Sequence, residues 1–266
     1  MLPSVGKIKS MAREVLSKNH FVGIMASLPF VFSIAVLFLV VEVLSTVTNT
    51  LISAVLNLTM LYFLILPLAL GTFRFFSRWL EGVCEYPTAV FFYFSNNAVY
   101  RKSLNFIFRL VIRLLVSYFL LSLPAIIVGG LASSDVYEHL GFAIPLWTPL
   151  LSTISNLLFV LSFIIFIFVN IKYYLAPYLF IIDDEMTPVN AMKMSMIISR
   201  RTQIDFIYLF FGMIVYVVLS LLYLPLIFTL PFLIMTYLIH SKYAVIQYNN
   251  TIEALTENQN ATGEIL

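Results

Sequence analysis

LNFIFRLVIRLLVSYFLLSLPAIIV, residues 104–128, decides how the whole chain is read. It is apolar over more than the roughly 20 residues that a helix needs to cross a hydrocarbon core, and its only charges are Arg109 and Arg113. The basic pair Arg101 and Lys102 precedes it, whereas the segment that follows, Gly129 to Pro149, holds no Lys or Arg at all. One end is basic and the other is not, which is how a membrane helix records its orientation.

The same pattern recurs outward in both directions. Apolar windows predict six spans: 21–41, 51–70, 104–128, 150–170, 204–222 and 224–240. Lys7, Lys9, Arg13 and Lys18 precede the first. Arg74, Arg78, Arg101 and Lys102 lie between the second and third, Lys172, Lys193, Arg200 and Arg201 between the fourth and fifth, and Lys242 follows the sixth. The alternate connections, Glu42 to Thr50, Gly129 to Pro149 and the turn around Tyr223 to Pro225, carry no Lys or Arg. The positive-inside rule then places the chain in the cell membrane with both termini in the cytosol. The run from Ile204 to His240 is broken only by Pro225 and Pro231; as one helix rising about 1.5 Å per residue it would overrun the bilayer, so a turn at Tyr223 to Pro225 divides it.

Composition agrees. Hydrophobic residues make up 61% of the 266, charged residues 11%, and the mean hydropathy is +0.99; soluble domains carry about a quarter charged residues. The expectation is an all-α, polytopic helical bundle, a single membrane domain over 1–248, followed by a polar, aromatic-poor tail over 249–266 that reads as disordered. The first span is too long for a signal peptide's apolar region, and no small-x-small site precedes Glu42, so it reads as a retained anchor. The lone Cys84 excludes an internal disulfide and a cysteine metal cluster, and reads as inert. The basic residues are sorted between spans rather than gathered into a patch, so no nucleic-acid partner is implied.

Two basic-side loops, the first with two such segments, and the N-terminus read as helices lying at the headgroup level. In Thr72 to Glu81, Phe73, Phe76 and Leu80 form one stripe, and Arg74, Ser77, Arg78 and Glu81 the other, with Trp79 as an interface anchor. Pro87 to Asn97 is too apolar for a solvated loop and too short to span. Thr187 and Pro188 give an N-cap and a first-turn proline for a helix through Met192 to Ile198. At the N-terminus, Val5, Ile8, Ala12 and Val15 oppose Lys7, Lys9, Arg13 and Lys18, a basic face that suits anionic lipid at about 1 kcal/mol per cation.

Shifted by one hundred residues, Glu85 falls on Glu185, Ser95 on Ser195, Arg101 on Arg201, Phe106 on Phe206 and Ile107 on Ile207. The alternatives are a parallel repeat about the membrane normal and two similar solutions to one interfacial problem. Gly71-Thr-Phe-Arg-Phe-Phe, Glu81-Gly82, Val90-Phe-Phe-Tyr-Phe-Ser, Tyr100-Arg-Lys-Ser-Leu and Tyr173-Tyr-Leu-Ala-Pro-Tyr-Leu-Phe-Ile-Ile-Asp-Asp-Glu, with Pro188, Ala191, Ser195 and Arg200, carry a resemblance. From Ile8 to Tyr248 the chain resembles a family of uncharacterised bacterial multi-pass integral membrane proteins, a domain of unknown function similar to the membrane domain fused to some glycerophosphodiester phosphodiesterases. The resemblance implies a fold and a membrane location and brings no activity; the segment Gly129 to Pro149 is longer and more polar than that family leads one to expect.

The motifs of phosphate loops, zinc proteases and serine elbows are not in the sequence, so no catalytic, cofactor-binding or metal site is assigned. His20, His139 and His240 fall in separate regions. Asp183, Asp184 and Glu185 have the oxygens for Mg²⁺ but read as a solvated run before the Thr187 cap. The remaining pointer is Arg109 and Arg113, at i and i+4 on one face of the third span. Counted from Leu104 at 1.5 Å per residue, Arg113 lies about 13 Å deep. Both arginines either reach inner-leaflet phosphates or form a lipid or anion site within the bundle. Glu42 ends the first span on the outer side. Three functions are compatible with this: a non-enzymatic module that binds membrane lipids, especially anionic headgroups on the cytosolic face, or another membrane protein; a small transporter or exporter of an amphiphilic or anionic substrate, favoured by prolines inside the spans; and a lipid-acting enzyme in which Asp183, Asp184 or Glu185 converges with basic residues such as Lys172 or Arg201 at the inner surface. The first is the expectation.

Overall fold

In the computed structural model, which describes residues 2–47, 50–83, 85–133, 137, 139, 146–221 and 223–262, the chain is all-α, with no strand among the described residues. α1 is Val5–Ser17, α2 His20–Val47 and α3 Thr50–Met60. A π-helical turn at Leu61–Ile65 joins α3 to α4, Leu66–Leu80. A 3₁₀ helix at Pro87–Phe94 precedes α5, Asn97–Leu131. α6 is Thr148–Asn170; a 3₁₀ turn at Ile171–Tyr173 leads to the short α7, Ala176–Ile182. α8, Pro188–Ser220, and α9, Tyr223–Thr262, complete the chain.

Among the described residues, six helices are long and apolar enough to cross a membrane: His20–Val43, Leu51–Leu80, Asn97–Leu131, Thr148–Ile182, Pro188–Ser220 and Pro225–Ala254. The protein is a multi-pass membrane protein of six candidate spans. The first four contain their predicted windows and overrun them; the fifth stops at Ser220, short of the predicted 222, the sixth begins at Pro225 rather than 224, and both overrun their windows at the other end. The reason is local: Asn97 and Pro188 start helices well before the apolar windows begin, and the fourth span runs on past its window through the 3₁₀ turn and α7 to Ile182. Thr187 caps α8 as expected, its hydroxyl accepting from the Asn190 amide at 3.3 Å, but that helix continues through the fifth span instead of lying apart from it. The turn dividing the last two spans falls between Ser220 and Tyr223. Cys84, most of the segment from Ser134 to Pro145 and the final four residues lie outside the described residues.

Two compact units make up the chain: Met1–Ile107 with Leu175–Leu266, and Phe108–Tyr174. This is a finer division than the single domain expected over 1–248. In the first unit α9 is central, packed by α1, α2, α4 and α8; Met235, Leu238, Ile239 and Ala244 on it are fully enclosed. The described part of the polar tail continues α9 to Thr262 as helix, where composition pointed to disorder. The second unit is a helical hairpin joined by polar groups. Ser155 Oγ donates to the Ala125 carbonyl (2.9 Å), Ser162 Oγ to that of Leu121 (2.8 Å), and Asn170 Nδ2 to Ser117 Oγ (2.9 Å). The donors recur every two turns along α6, and their acceptors lie on one face of α5 on both sides of Pro124. Small hydroxyls bonding across helices are how membrane hairpins are held where lipid offers no hydrophobic drive. Gly129 belongs to the same seam, since a Cβ there would lie 2.8 Å from Ser155 Oγ.

Two of the segments read as interfacial helices are buried in protein instead. The face of Thr72 to Glu81 read as wet contains Arg74 and Ser77, 6% and 4% exposed, and Phe76 on the other face is 0% exposed. The 3₁₀ helix covers α4 closely: a Cβ on Gly71 would fall inside the Val90 carbonyl, so only glycine permits the approach. The α1 stripe is likewise spent on protein, since Ile8, Ala12 and Leu16 are buried against α9, α2 and α8.

Candidate functional site

Arg74 is the most enclosed cation described in the first unit. Its position follows from the chain around it: Gly71 brings the 3₁₀ helix onto α4 one turn earlier, and Phe92 of that helix presents its ring face 3.7 Å from the guanidinium carbon. From the other side, the end of α7 brings the Ile181 carbonyl to 3.4 Å of Nη1. Beyond it, Asp184 accepts from both arms of the fork, Nη1 to Oδ1 at 2.5 Å and Nη2 to Oδ2 at 3.2 Å. A planar fork on a carboxylate, with an aromatic face above it, is an arrangement that lysine cannot reproduce.

The rest of the cluster supports this pair. Lys102, in the first turns of α5, donates to the Asp184 backbone carbonyl and lies 5.7 Å above the Phe180 ring. Phe180 stacks on Phe106 at 4.3 Å and on Tyr93 at 6.2 Å. The hydrogen bond from Arg74 holds the Asp184 carboxyl below its ordinary pKa, with the charges of Arg74, Arg78 and Lys102 adding to the effect against some desolvation. The Tyr93 hydroxyl is pushed the other way by burial, partly offset by Arg74. Asp183 is exposed and accepts from the Glu185 amide at 2.8 Å. Nearby, Arg78 and Glu85 approach to 3.8 Å.

This arrangement clasps α4, the 3₁₀ helix, the start of α5 and the end of α7. The Arg74 fork is occupied by Asp184 and the Ile181 carbonyl, and its face by Phe92. Of the acidic trio, Asp184 meets Arg74 through its carboxylate and Lys102 through its backbone carbonyl. A signal for the pairing was present in the sequence, because Arg74, Lys102 and the acidic run all fall in connections that the charge pattern reads as lying on one side. No cluster of three or more His, Cys, Asp or Glu suited to a metal occurs among the described residues.

Arg109 and Arg113 lie in the second unit, both exposed. The Arg113 guanidinium sits 5.3 Å from the Tyr173 ring, and Lys172 is at the same distance from that ring. Tyr173 itself is buried, so what this hairpin shows at its surface is the exposed pair of arginines. In the first unit, Lys9 and Arg13 of α1 reach onto the α8–α9 pair: Lys9 donates to the Gly212 carbonyl and Arg13 Nη2 to the Tyr216 hydroxyl at 2.9 Å. Gly212 leaves room for Val5, which a Cβ there would meet at 2.8 Å. At 1.5 Å per residue, Gly212 is about 18 Å along α8 from Arg200, so α1 lies beside the apolar part of α8 rather than beside its basic end.

No family model matches the chain, and neither a curated protein nor a solved structure does.

Proposed function

We propose that this chain is a non-enzymatic, lipid-binding module of the cell membrane, with both termini in the cytosol, which engages anionic headgroups through the cations flanking its spans. The observation that carries the reading is how those cations are disposed. Arg74 is enclosed within the first unit, whereas Arg101, Arg109, Arg113, Lys193, Arg200 and Arg201 are exposed. They stand on helices whose apolar side chains are exposed too, among them Phe108 at 52% and Leu115 at 61%. A guanidinium on a lipid-facing helix extends its stem along the apolar surface and carries its charge to the phosphate level, at about 1 kcal/mol per cation near an anionic surface. The positive-inside sorting supports the orientation.

Native mass spectrometry of the protein in a mild detergent, beside an Arg109→Ala, Arg113→Ala variant of equal thermal midpoint, tests this. The unmutated chain should retain anionic phospholipid that the variant retains less of. Equal retention by both would remove the α5 arginines from lipid recognition. A stoichiometric protein partner on both, without lipid, would replace the reading with a protein-binding one.

A further inference from the structure

A groove of about 490 Å³ runs between α1, the first turn of α2 and the α8–α9 pair, with Leu16, Phe228 and Phe232 among its walls and Arg13, Ser17 and His20 contributing the polar groups. We propose that it is a binding site for one long-chain fatty carboxylate, with Arg13 holding the headgroup. This rests on the lipid-binding reading and narrows it to a single-chain anion at one site. The volume falls in the lower half of the roughly 300–1,000 Å³ usual for small-ligand sites, which suits one acyl chain better than a two-chain phospholipid.

Charge complementarity selects the anion. Arg13 is exposed but not loose: Tyr216 takes one donor of its Nη2, and the guanidinium lies 5.7 Å from the Phe232 ring. Those contacts fix the plane of the fork and use one of its five N–H donors. A fork held on an aromatic face beside an apolar groove matches a carboxylate bidentately, with the tail continuing over hydrocarbon. Among the described residues no acidic side chain lines the groove to compete for it. The apolar walls make a neutral, polar or short ligand a poor occupant.

Oleate, oleyl alcohol and dioleoylphosphatidylglycerol, each titrated into the detergent-purified full chain and followed by native mass spectrometry, distinguish the occupants. Oleate should saturate at one per chain, with oleyl alcohol much weaker. Arg13→Gln should weaken oleate by about tenfold or more, the scale for removing one partner of a charged pair, and Arg13→Lys by less. Thr229→Phe, which leaves Arg13 in place and fills the groove, should also abolish saturable oleate binding; thermal midpoints of all three variants establish that they fold. Oleate binding indifferent to Arg13→Gln and Thr229→Phe overturns the site. Phosphatidylglycerol retained without an oleate adduct overturns the site and leaves the proposed function standing. Retention of neither overturns both.

Discussion

Removing the Asp184 carboxylate should cost far more when Arg74 is present than when it is not. The Arg74 side chain is 7% exposed and that of Asp184 59%, so the two ends of the pair stand in different media. Taking one partner from a fully buried pair costs about 3–5 kcal/mol, because the other is left charged and unpaired, whereas fully exposed pairs are worth about 0.2–1 kcal/mol. With one partner enclosed and the other mostly in water, Asp184→Asn should cost about 2 kcal/mol. Arg74→Met keeps most of the volume between Phe92 and α7 and returns Asp184 to solvent; its cost should be about 1 kcal/mol, the scale of the lost cation–π contact. In that background Asp184→Asn should cost less than about 0.5 kcal/mol, the range of surface changes. The assay is reversible unfolding by SDS in mixed micelles, read from tryptophan emission; Trp79 packs on Phe75 and Phe76 in the same unit. Equal costs of Asp184→Asn in the two backgrounds would refute the clasp. The pH dependence supplies a second check. The folded carboxyl titrates below its ordinary value of 3.8, so the unfolded chain takes up the proton first as pH falls. The stabilisation is complete above that ordinary value and is lost as pH drops through the lower folded one. The Asn variant should lack this acid-side loss, and neither form should change between pH 5 and 8 on account of this pair.

Three further outcomes are expected. Gly71→Ala, which forces a Cβ into the Val90 carbonyl, should cost more than about 3 kcal/mol, since both neighbours are backbone and neither element yields cheaply; a monodisperse, fully folded variant in the SDS titration would contradict the close approach. Ser162→Ala should lower stability by about 0.6 kcal/mol, the average for side-chain hydrogen bonds measured between membrane helices, and Ser155→Ala by more, because that hydroxyl also meets Gly129; equal or absent effects in the same titration would remove the seam. In a Cys84→Ala background, a cysteine at Ser133 should react with an impermeant maleimide from outside intact cells and one at Ser10 only after permeabilisation; the reverse pattern would invert the proposed orientation.

Span number and helix class were legible because hydropathy and charge sorting act on whole segments, and windows such as 104–128 leave a membrane helix no alternative. The lengths were less legible. An apolar window marks what lipid requires, whereas α5 and α8 continue as far as Asn97 and the Thr187 cap allow. Arg74 was misplaced for a related reason: a helical stripe of Phe73, Phe76 and Leu80 opposite Arg74 and Ser77 looks the same whether the polar side meets water or a second layer of protein. What decided it was Gly71, whose missing Cβ admits the 3₁₀ helix, and Asp184, more than one hundred residues away. The Ser155, Ser162 and Asn170 spacing was visible in the sequence, but its meaning depends on which helix faces it.

The contacts of α1 bear on how the molecule is made. Arg13 and Tyr216 are separated by 203 residues, and the first unit is drawn from both ends of the chain while the second is one uninterrupted stretch. A ribosome delivers α1 before α8 and α9, so of the elements that bury Ile8, Ala12 and Leu16 only α2 is present until those two helices have been translated. The hairpin of α5 and α6 can zip as it emerges, its contacts being close in sequence. Until α8 and α9 are made, α1 is an amphiphile with only α2 against it, and its docking onto them must wait for the unit's late half.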